Sequence, residues 1–331
     1  MITTVGTWAT RSALQDPAAS VAGFTRAGVN LVSLMLNDYR VSETPAPFWM
    51  HPPEQVIALA DACRAAGIEF GVTSWIMPDR AFIEGAAAQL IPLLEATGST
   101  LLMWDAEEVW VRGDGDMTHD AAASLVGDLF SGVTMGVTGI AYANTAALRG
   151  LSRVCLTWSP QCYATTNAGS SDPLDCVALG VAKWRAKFGE PERWIIGLAA
   201  YAQPATPADY MQPCVDQVIA ASLDAICYWS HGAIAKRPDV TEFVSSVGTL
   251  ALETGSIMPV LDIAAMPSGT RSEGVGMVQG LLVWAGFDPG VVDGKPGTNT
   301  LNAVVAFQAM TPRCTADGVV DGATWWALLR C

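Results

Sequence analysis

Basic side chains are scarce in this chain of 331 residues, which has 18 Lys and Arg against 32 Asp and Glu and a formal net charge of −14. Proteins that bind nucleic acids need a basic patch to meet the phosphates, so this class of function is disfavoured. The negative charge also disfavours simple electrostatic attraction to an anionic polymer. Partners are therefore expected to be recognised through hydrogen bonds and apolar contacts, and nucleic acid is not expected among them.

Closely spaced metal ligands are missing as well. The three histidines, His51, His119 and His231, include no close pair, and none of the eight cysteines belongs to a Cys-x-x-Cys motif. Because zinc sites are built from such spacings, a zinc amidase is disfavoured, and we expect neither a metal nor another cofactor. A Cys–His peptidase is also disfavoured, since no cysteine occupies an evident helix-start position.

The cysteine spacing leaves disulfide bonding open. Cys314 and Cys331 bracket the last predicted helix and could be bridged, and Cys176 could pair with Cys162 or with Cys214. Spacing alone does not determine connectivity, so the sequence does not choose between these pairs.

Long hydrophobic runs are absent, although hydrophobic residues make up 51% of the chain and charged residues only 15%. The longest apolar stretches have the length of a strand and are interrupted by polar residues, so no membrane-spanning helix is indicated. The first residues, Met-Ile-Thr-Thr-Val-Gly, lack the basic patch and apolar run of a secretory signal. We expect a monomer that does not insert into a membrane.

Strand-like and helix-like runs alternate through the first 250 residues of the chain. Eight apolar runs have the length of a strand: 3–9, 31–36, 69–75, 101–105, 136–142, 154–158, 194–200 and 225–229. Helical periodicity is clearest in six other segments: 53–66, 80–96, 119–129, 173–188, 207–223 and 238–250. This alternation predicts βαβ units and a parallel sheet, and eight repeats in about 250 residues suit an α/β fold of the (β/α)8 TIM-barrel type. A doubly wound open sheet is the alternative, but the glycine-rich loop that usually follows its first strand is missing.

In such barrels the chemistry lies at the C-terminal ends of the strands. These positions hold aromatic, amide and carboxylate side chains: Trp8, Asp38, Trp75, Asp105, Glu107, Glu108, Gln161, Tyr163, Tyr201 and Trp229. Aromatic faces beside a few polar groups suit a sugar. We expect catalytic roles for Asp105, Glu107 and Tyr163, and substrate-binding roles for the other seven.

A carboxylate cluster follows the apolar fourth strand. Asp105 and Glu107 are two residues apart, so on an extended backbone they point the same way. Two neighbouring carboxyl groups oppose each other's ionisation, and one can stay protonated as a general acid, as glycosidic bond cleavage requires. A solvated acidic loop is the alternative. The roles of Glu108, which would face away on a regular strand, and of Asp38, a second carboxylate at the end of the second strand, stay open.

The pattern Asp105-x-Glu107 after the fourth strand is similar to the motifs of family 25 lysozymes and family 18 chitinases, which are (β/α)8 enzymes acting on N-acetylated sugars. The resemblance implies that Glu107 is the proton donor and that Asp105 assists the acetamido group of the substrate. It also implies that Tyr163, in Gln161-Cys-Tyr163, meets that acetamido group and that Trp229 forms an aromatic floor. The chain departs from both families, because it lacks the first-strand Asp of the lysozymes and the early polar positions of the chitinase motif.

The last sixty or so residues carry an ordered set of motifs. A helical segment with Gln279 precedes an Asp293-Gly294 turn, a second helix ends at Gln308, and an Asp317-Gly318 turn precedes Thr324. Asp-Gly pairs favour turns because Gly accepts a positive φ. This order closely resembles the peptidoglycan-binding domain of cell-wall hydrolases. We therefore expect a catalytic barrel over 1–250, a linker over 251–272 and a small three-helix, peptidoglycan-binding domain over 273–331.

Together the resemblances imply a phage endolysin-like hydrolase of bacterial peptidoglycan. The expected activity is that of a retaining N-acetylmuramidase, with an N-acetylglucosaminidase, a chitinase-like glycosidase or a non-catalytic sugar-binding barrel as alternatives. Endolysins stay in the host cytoplasm until lysis and then act on the cell wall, which agrees with the missing signal.

Overall fold

The computed structural model describes the following residues: 2–37, 48–99, 101–141, 145–163, 173–200, 207–223, 225–257, 261–267, 269–311, 314–320, 324 and 328. The chain divides into two compact units, Met1–Ala251 and Leu252–Cys331. None of the helices in these ranges combines the length and hydropathy needed to cross a bilayer.

The first unit is a closed parallel barrel. Its strands are β1 Thr4–Ala9, β2 Leu31–Met35, β3 Glu69–Trp75, β4 Leu102–Asp105, β5 Met135–Ile140, β6 Thr157–Gln161, β7 Arg193–Trp194, β8 Ile196–Ala199 and β9 Ala225–Trp229. β1 pairs with both β2 and β9, which closes the sheet. β7 and β8 are separated by one residue and both pair with β6, so they act as one strand of an eight-stranded barrel. The predicted fold class is confirmed.

Helices surround the strands of the barrel. They are α1 Pro17–Arg26, α2 Pro53–Ala65, α3 Arg80–Thr97, α4 Glu108–Arg112, α5 His119–Leu129, α6 Arg149–Val154, α7 Cys176–Phe188, α8 Pro207–Ala220, α9 His231–Ile234 and α10 Pro238–Ile257. Several begin at a polar residue whose side chain accepts a hydrogen bond from the first turn, as helix N-termini require. Asp16 does so for α1, Asp79 for α3 and Thr118 for α5.

One strand lies three residues later than the sequence predicts. The apolar run 154–158 reads as a strand, but Val154 ends the short helix α6 and β6 begins at Thr157. A six-residue helix gives too little periodicity to be recognised from sequence. The shift matters because it makes Gln161 the last residue of β6.

Side chains alternate between the barrel interior and the outer layer along each strand. On β4, Leu102 and Trp104 belong to the core between strands and helices, whereas Met103 packs in the interior. The interior cluster consists of Trp8, Leu31, Met35, Leu101, Met103, Ile195, Ala225 and Cys227. Asp105 therefore follows Met103 on the inward face, at the C-terminal end of the strand.

The second unit contains α11 Glu273–Trp284, α12 Thr298–Met310 and the antiparallel strands β10 Leu261–Asp262 and β11 Val319–Val320. Of the third predicted helix, Thr324 and Leu328 are described, and both are helical and buried. The segment predicted as a linker contains β10, whose Leu261 packs in this core together with Ile263.

Two buried glutamines organise this unit in the same way. The side-chain oxygen of Gln279 accepts hydrogen bonds from the backbone of Asp293 and Gly294 at 3.1 and 2.8 Å, and its NH2 group donates to Thr300 at 3.0 Å. Gln308 accepts from Gly318 at 2.9 Å and donates to the Thr324 hydroxyl at 2.9 Å. Each Asp-Gly turn is thus joined to the helix before it and to the Thr that follows it.

Candidate active site

The carboxylate pair lies where β4 passes into α4. Asp105 is the last residue of β4, and Glu107 immediately precedes the first turn of α4. Both side chains are half-buried. The turn is fixed by backbone hydrogen bonds from Ala106 to the Thr138 carbonyl at 2.9 Å and from Val111 to the Glu107 carbonyl at 2.8 Å. The pair is therefore held by the backbone at the C-terminal mouth of the barrel.

Gln161 ends β6, two strands from β4, and its side chain acts on both carboxyl groups. Its Nε2 donates to Asp105 Oδ1 at 3.1 Å and to the Thr138 hydroxyl at 3.3 Å, and it opposes the rise in the pKa of Glu107. Its Oε1 is buried and has no hydrogen-bond partner among the described residues. An unpaired buried acceptor destabilises the fold. The Gln161 Oε1 atom is therefore positioned to accept a hydrogen bond from a protonated group of the site or of a ligand.

Both carboxyl groups resist ionisation. Burial raises the pKa of Asp105 well above its usual range, the charge of Glu107 adds to this, and the hydrogen bond from Gln161 opposes it. Burial also raises the pKa of Glu107, the Gln161 hydrogen bond opposes the rise, and the charge of Glu108 contributes to it. Because the two groups interact, their titration belongs to the pair. The pair can therefore retain a proton at a pH where isolated carboxyl groups are ionised.

Glu108 lies outside the pair. It is the first residue of α4, its side chain is 61% exposed, and it forms an ion pair with Arg112 at 2.7 Å. It influences the site through its charge on Glu107. Direct contact between Glu108 and a substrate stays a prediction.

Three of the predicted tryptophans lie around the mouth and the interior of the barrel. Trp75 ends β3 in register with Asp105, and Trp229 ends β9; both are half-buried. The Trp8 ring is 6.0 Å from that of Trp229 but only 2% exposed, and its Nε1 donates to the Thr73 hydroxyl at 3.1 Å. Trp229 packs with the interior cluster at the mouth, whereas the Trp75 ring lies 5.0 Å from Phe82 of α3. The binding roles of all three tryptophans stay predictions.

Of the remaining predicted site residues, the structure describes only Tyr163. Tyr163 is half-buried and follows Gln161 by two residues, at the same end of the barrel. Asp38 and Tyr201 lie outside the described residues. The Tyr163 contact with substrate stays a prediction.

His231, the histidine that follows Trp229, packs away from the barrel interior. Its ring lies edge-on against Phe24 of α1, with the ring centroids 4.5 Å apart. Burial lowers its pKa, and the charge of Arg26 acts in the same direction. His231 therefore packs against α1, and its surroundings favour the neutral form of the ring. Within the described ranges, no group of three or more His, Cys, Asp and Glu side chains is arranged to hold a metal ion.

Two residues of the site have no signal in the sequence. Thr138 of β5 accepts the Gln161 hydrogen bond, and Gly197 of β8 leaves room for its neighbours. A Cβ at Gly197 would lie 3.2 Å from both the Gln161 backbone and the Trp8 ring, tighter than ordinary packing allows. Neither residue type points to a site by itself, and only the register of the closed barrel brings them to Gln161.

Comparison with known proteins supports both halves of the architecture. Residues 271–328 match the family "Putative peptidoglycan binding domain". The barrel is similar to a GH113 β-1,4-mannanase, with a TM-score of 0.56 and 10% identity over 74% of this chain and 97% of the mannanase. It is also similar to the catalytic domain of a chitinase from Pyrococcus furiosus, with a TM-score of 0.55 and 15% identity over 76% of this chain and 96% of the other. No curated protein sequence matches the chain.

The fold of an inhibitor protein is similar as well. The xylanase and α-amylase inhibitor protein from Scadoxus multiflorus matches with a TM-score of 0.51 and 11% identity, over 76% of this chain and 99% of the inhibitor. Identities this low show a shared fold only. The chain therefore combines a (β/α)8 barrel of the fold found in glycoside hydrolases with a C-terminal region that matches a peptidoglycan-binding family.

Proposed function

We propose that this protein is a peptidoglycan hydrolase that cleaves a glycosidic bond next to an N-acetylated sugar, most simply as an N-acetylmuramidase. The observation that carries the proposal is the half-buried Asp105–Glu107 pair at the barrel mouth. Gln161 donates a hydrogen bond to Asp105, and the pKa of both carboxyl groups is raised. Such a pair can hold and supply a proton at a pH where an isolated carboxyl group is ionised. The peptidoglycan-binding match in the same chain indicates the polymer.

In the proposed mechanism Glu107 protonates the leaving oxygen. Asp105 and Tyr163 hold the acetamido group of the substrate so that its oxygen attacks the anomeric carbon, and a water molecule later opens the resulting ring with retention of configuration. Gln161 keeps Asp105 in place. This route needs no protein nucleophile, which suits a site whose described mouth carboxyl groups cluster at the end of one strand; glycosidases that use two carboxyl groups instead place them on opposite sides of the bond.

Two tryptophans at the ends of strands suit the proposed substrate. Trp75 lies beside Asp105 in the strand register, and Trp229 lies at the mouth above Trp8. The faces of such rings stack against the apolar faces of sugars, and the nearby amide and carboxylate groups fix the orientation of the ring. An endolysin-like life cycle, with storage in a host cytoplasm before lysis, is part of the same proposal and rests on the family resemblance.

Clearing of a purified peptidoglycan suspension tests the activity. We expect the wild-type protein to lower the turbidity and to release new reducing ends in proportion. The second candidate is a non-catalytic sugar-binding barrel, which is favoured by the likeness to the inhibitor protein. Binding to the walls without any release of reducing ends would establish this second candidate instead.

The pH profile tests the role of Gln161. Because its hydrogen bonds oppose the rise in pKa of both Asp105 and Glu107, Gln161→Leu should move both limbs of the activity profile to higher pH, by about one unit. The measurement is the initial rate of lysis at a series of pH values, with a thermal melt to show that the variant is folded.

Glu108→Gln is the matched control with the opposite sign. It removes a charge that raises the pKa of Glu107, so the alkaline limb should move to lower pH, by less than about one unit because Glu108 is exposed. Identical profiles for both variants and the wild type would contradict the assignment of these carboxyl groups to catalysis.

Wall binding should reside in the second unit. We expect a fragment of residues 252–331 to pellet with purified peptidoglycan without cleaving it. A fragment of residues 265–331 lacks β10 and with it Leu261 and Ile263 of the core, and burial of two such side chains contributes about 3–6 kcal/mol. The shorter fragment should therefore melt at a lower temperature and pellet less. A folded longer fragment that stays in the supernatant would contradict the proposed wall binding.

A further inference from the structure

Two cysteine side chains meet behind the strand that carries Gln161. Cys176 begins α7 and Cys214 lies in α8, and their sulfur atoms are 3.4 Å apart without a disulfide bond. Both side chains are buried. The Cys176 thiol also donates to the backbone carbonyl of Cys162, the residue after Gln161, with a sulfur–oxygen distance of 3.7 Å.

The two helices are held in register at this point by Gln217. Its Oε1 accepts hydrogen bonds from the backbone N–H groups of Val177 and Ala178, both at 3.0 Å, and its Nε2 donates to the carbonyl of Pro173 at 2.6 Å. Gln217 and Cys214 are three residues apart and so share one face of α8. The same face that fixes the N-terminus of α7 therefore presents Cys214 to Cys176.

This arrangement is close to that of a disulfide. A disulfide has a sulfur–sulfur distance of about 2.05 Å, so the two sulfur atoms need to approach by about 1.4 Å, which two side chains can share by rotation about their own bonds. The helices keep their register because Gln217 already fixes it.

We propose that Cys176 and Cys214 form a thiol–disulfide site that a small organic disulfide converts to an intramolecular disulfide. One cysteine sulfur attacks the reagent, forms a mixed disulfide and releases one reagent thiol. The second cysteine sulfur then attacks the first and releases the other reagent thiol. The two cysteines lose two electrons and two protons, and the reagent disulfide is reduced to two thiols.

The bond would link α7 to α8 and close a loop between residues separated by 38 positions. Cross-links over loops of this length stabilise proteins. The reaction should be slow, because the hydrogen bond with Cys176 and burial both raise the pKa of the Cys214 thiol, and the thiolate is the reactive form. The inference does not depend on the proposed glycosidase activity.

Oxidation of the folded, full-length protein tests the proposal. Incubation with excess 2-hydroxyethyl disulfide at about pH 8 for about a day should lower the intact mass by two hydrogens. Non-reducing peptide mapping should find Cys176 joined to Cys214, and the melting temperature should rise by about 5 °C or more. Dithiothreitol should restore the original mass and the original melting temperature. Cys176→Ser and Cys214→Ser should each abolish the changes that oxidation causes, whereas Cys155→Ser, at a buried cysteine in another part of the barrel, should keep them.

Three results would overturn the proposal. One is a cross-link that joins Cys162 to either partner instead. Another is a stable reagent adduct on Cys176 or Cys214. The third is a folded protein that keeps these thiols for the whole incubation, while the same thiols react once the protein is unfolded.

Discussion

Glu107→Gln should reduce the rate of wall lysis by roughly 10²-fold or more, because Gln keeps the shape of the side chain but cannot donate the proton. The family resemblance assigns the acid to Glu107, and its raised pKa allows it to carry a proton at the mouth of the barrel. The measurement is the initial rate of turbidity loss, with wild-type and variant proteins compared at equal concentrations of folded protein.

The neighbouring residue provides the control for this substitution. Glu108→Gln makes the same chemical change one residue later, on an exposed side chain paired with Arg112. It should cost much less activity at the pH optimum. Loss of lysis in Glu108→Gln with near wild-type lysis in Glu107→Gln would show that the acid is Glu108. Lysis that survives both substitutions would remove this cluster from the mechanism.

Asp105→Asn should lower the activity of the protein and stabilise its fold at neutral pH. The pKa of Asp105 is raised by burial and by Glu107, so the folded state favours the neutral carboxyl and ionisation of Asp105 destabilises it. Asn is neutral at every pH and still accepts the hydrogen bond from Gln161. Activity should fall by at least about tenfold, because Asn can neither release nor take up a proton while it holds the acetamido group.

The sign of the stability change follows from the raised pKa. Below the unfolded-state pKa of about 3.9, Asp105 is protonated in both states and does not change the stability of the wild type. As the pH rises from this value through the folded-state pKa, the free energy of unfolding falls by about 1.4 kcal/mol for each unit between the two pKa values. The melting temperature of Asp105→Asn should therefore equal that of the wild type near pH 3 and exceed it by a few degrees at pH 7. Equal melting temperatures at both pH values would show that Asp105 titrates as an ordinary exposed carboxyl.

The fold was predictable because its signals are local and repeated. Each strand is a short apolar run, and most helices carry periodic apolar positions, so the number of repeats alone indicates a closed barrel. The prediction was wrong where an element is too short to show a period, as in α6, which displaced β6 to Thr157–Gln161. In the second unit, β10 is two residues long, and its pairing partner Val319–Val320 lies far along the chain, so the sequence of this segment reads as a linker.

The candidate site was predictable only in part. Asp105 and Glu107 stand out because acidic residues follow a buried strand. The role of Gln161 does not stand out, because it depends on the register of β5 and β6, which places Gln161 within reach of Asp105 on β4. Thr138 accepts a hydrogen bond from Gln161, and Gly197 has no side chain that would contact Gln161 and Trp8. Neither residue type marks a site in a strand. Contacts across a barrel come from its closure, which no local pattern records.

Mass spectrometry of the fragments released from purified peptidoglycan shows which bond, if any, the protein cleaves. We expect the wild-type protein to produce fragments with a new reducing-end N-acetylated sugar, most simply N-acetylmuramic acid, and Glu107→Gln to produce almost none under the same conditions. Reducing-end N-acetylglucosamine would keep the glycosidase and change the bond that it cleaves. Fragments with intact glycan strands and cut peptides, or no fragments at all from a folded wild-type protein that binds the wall, would contradict the account.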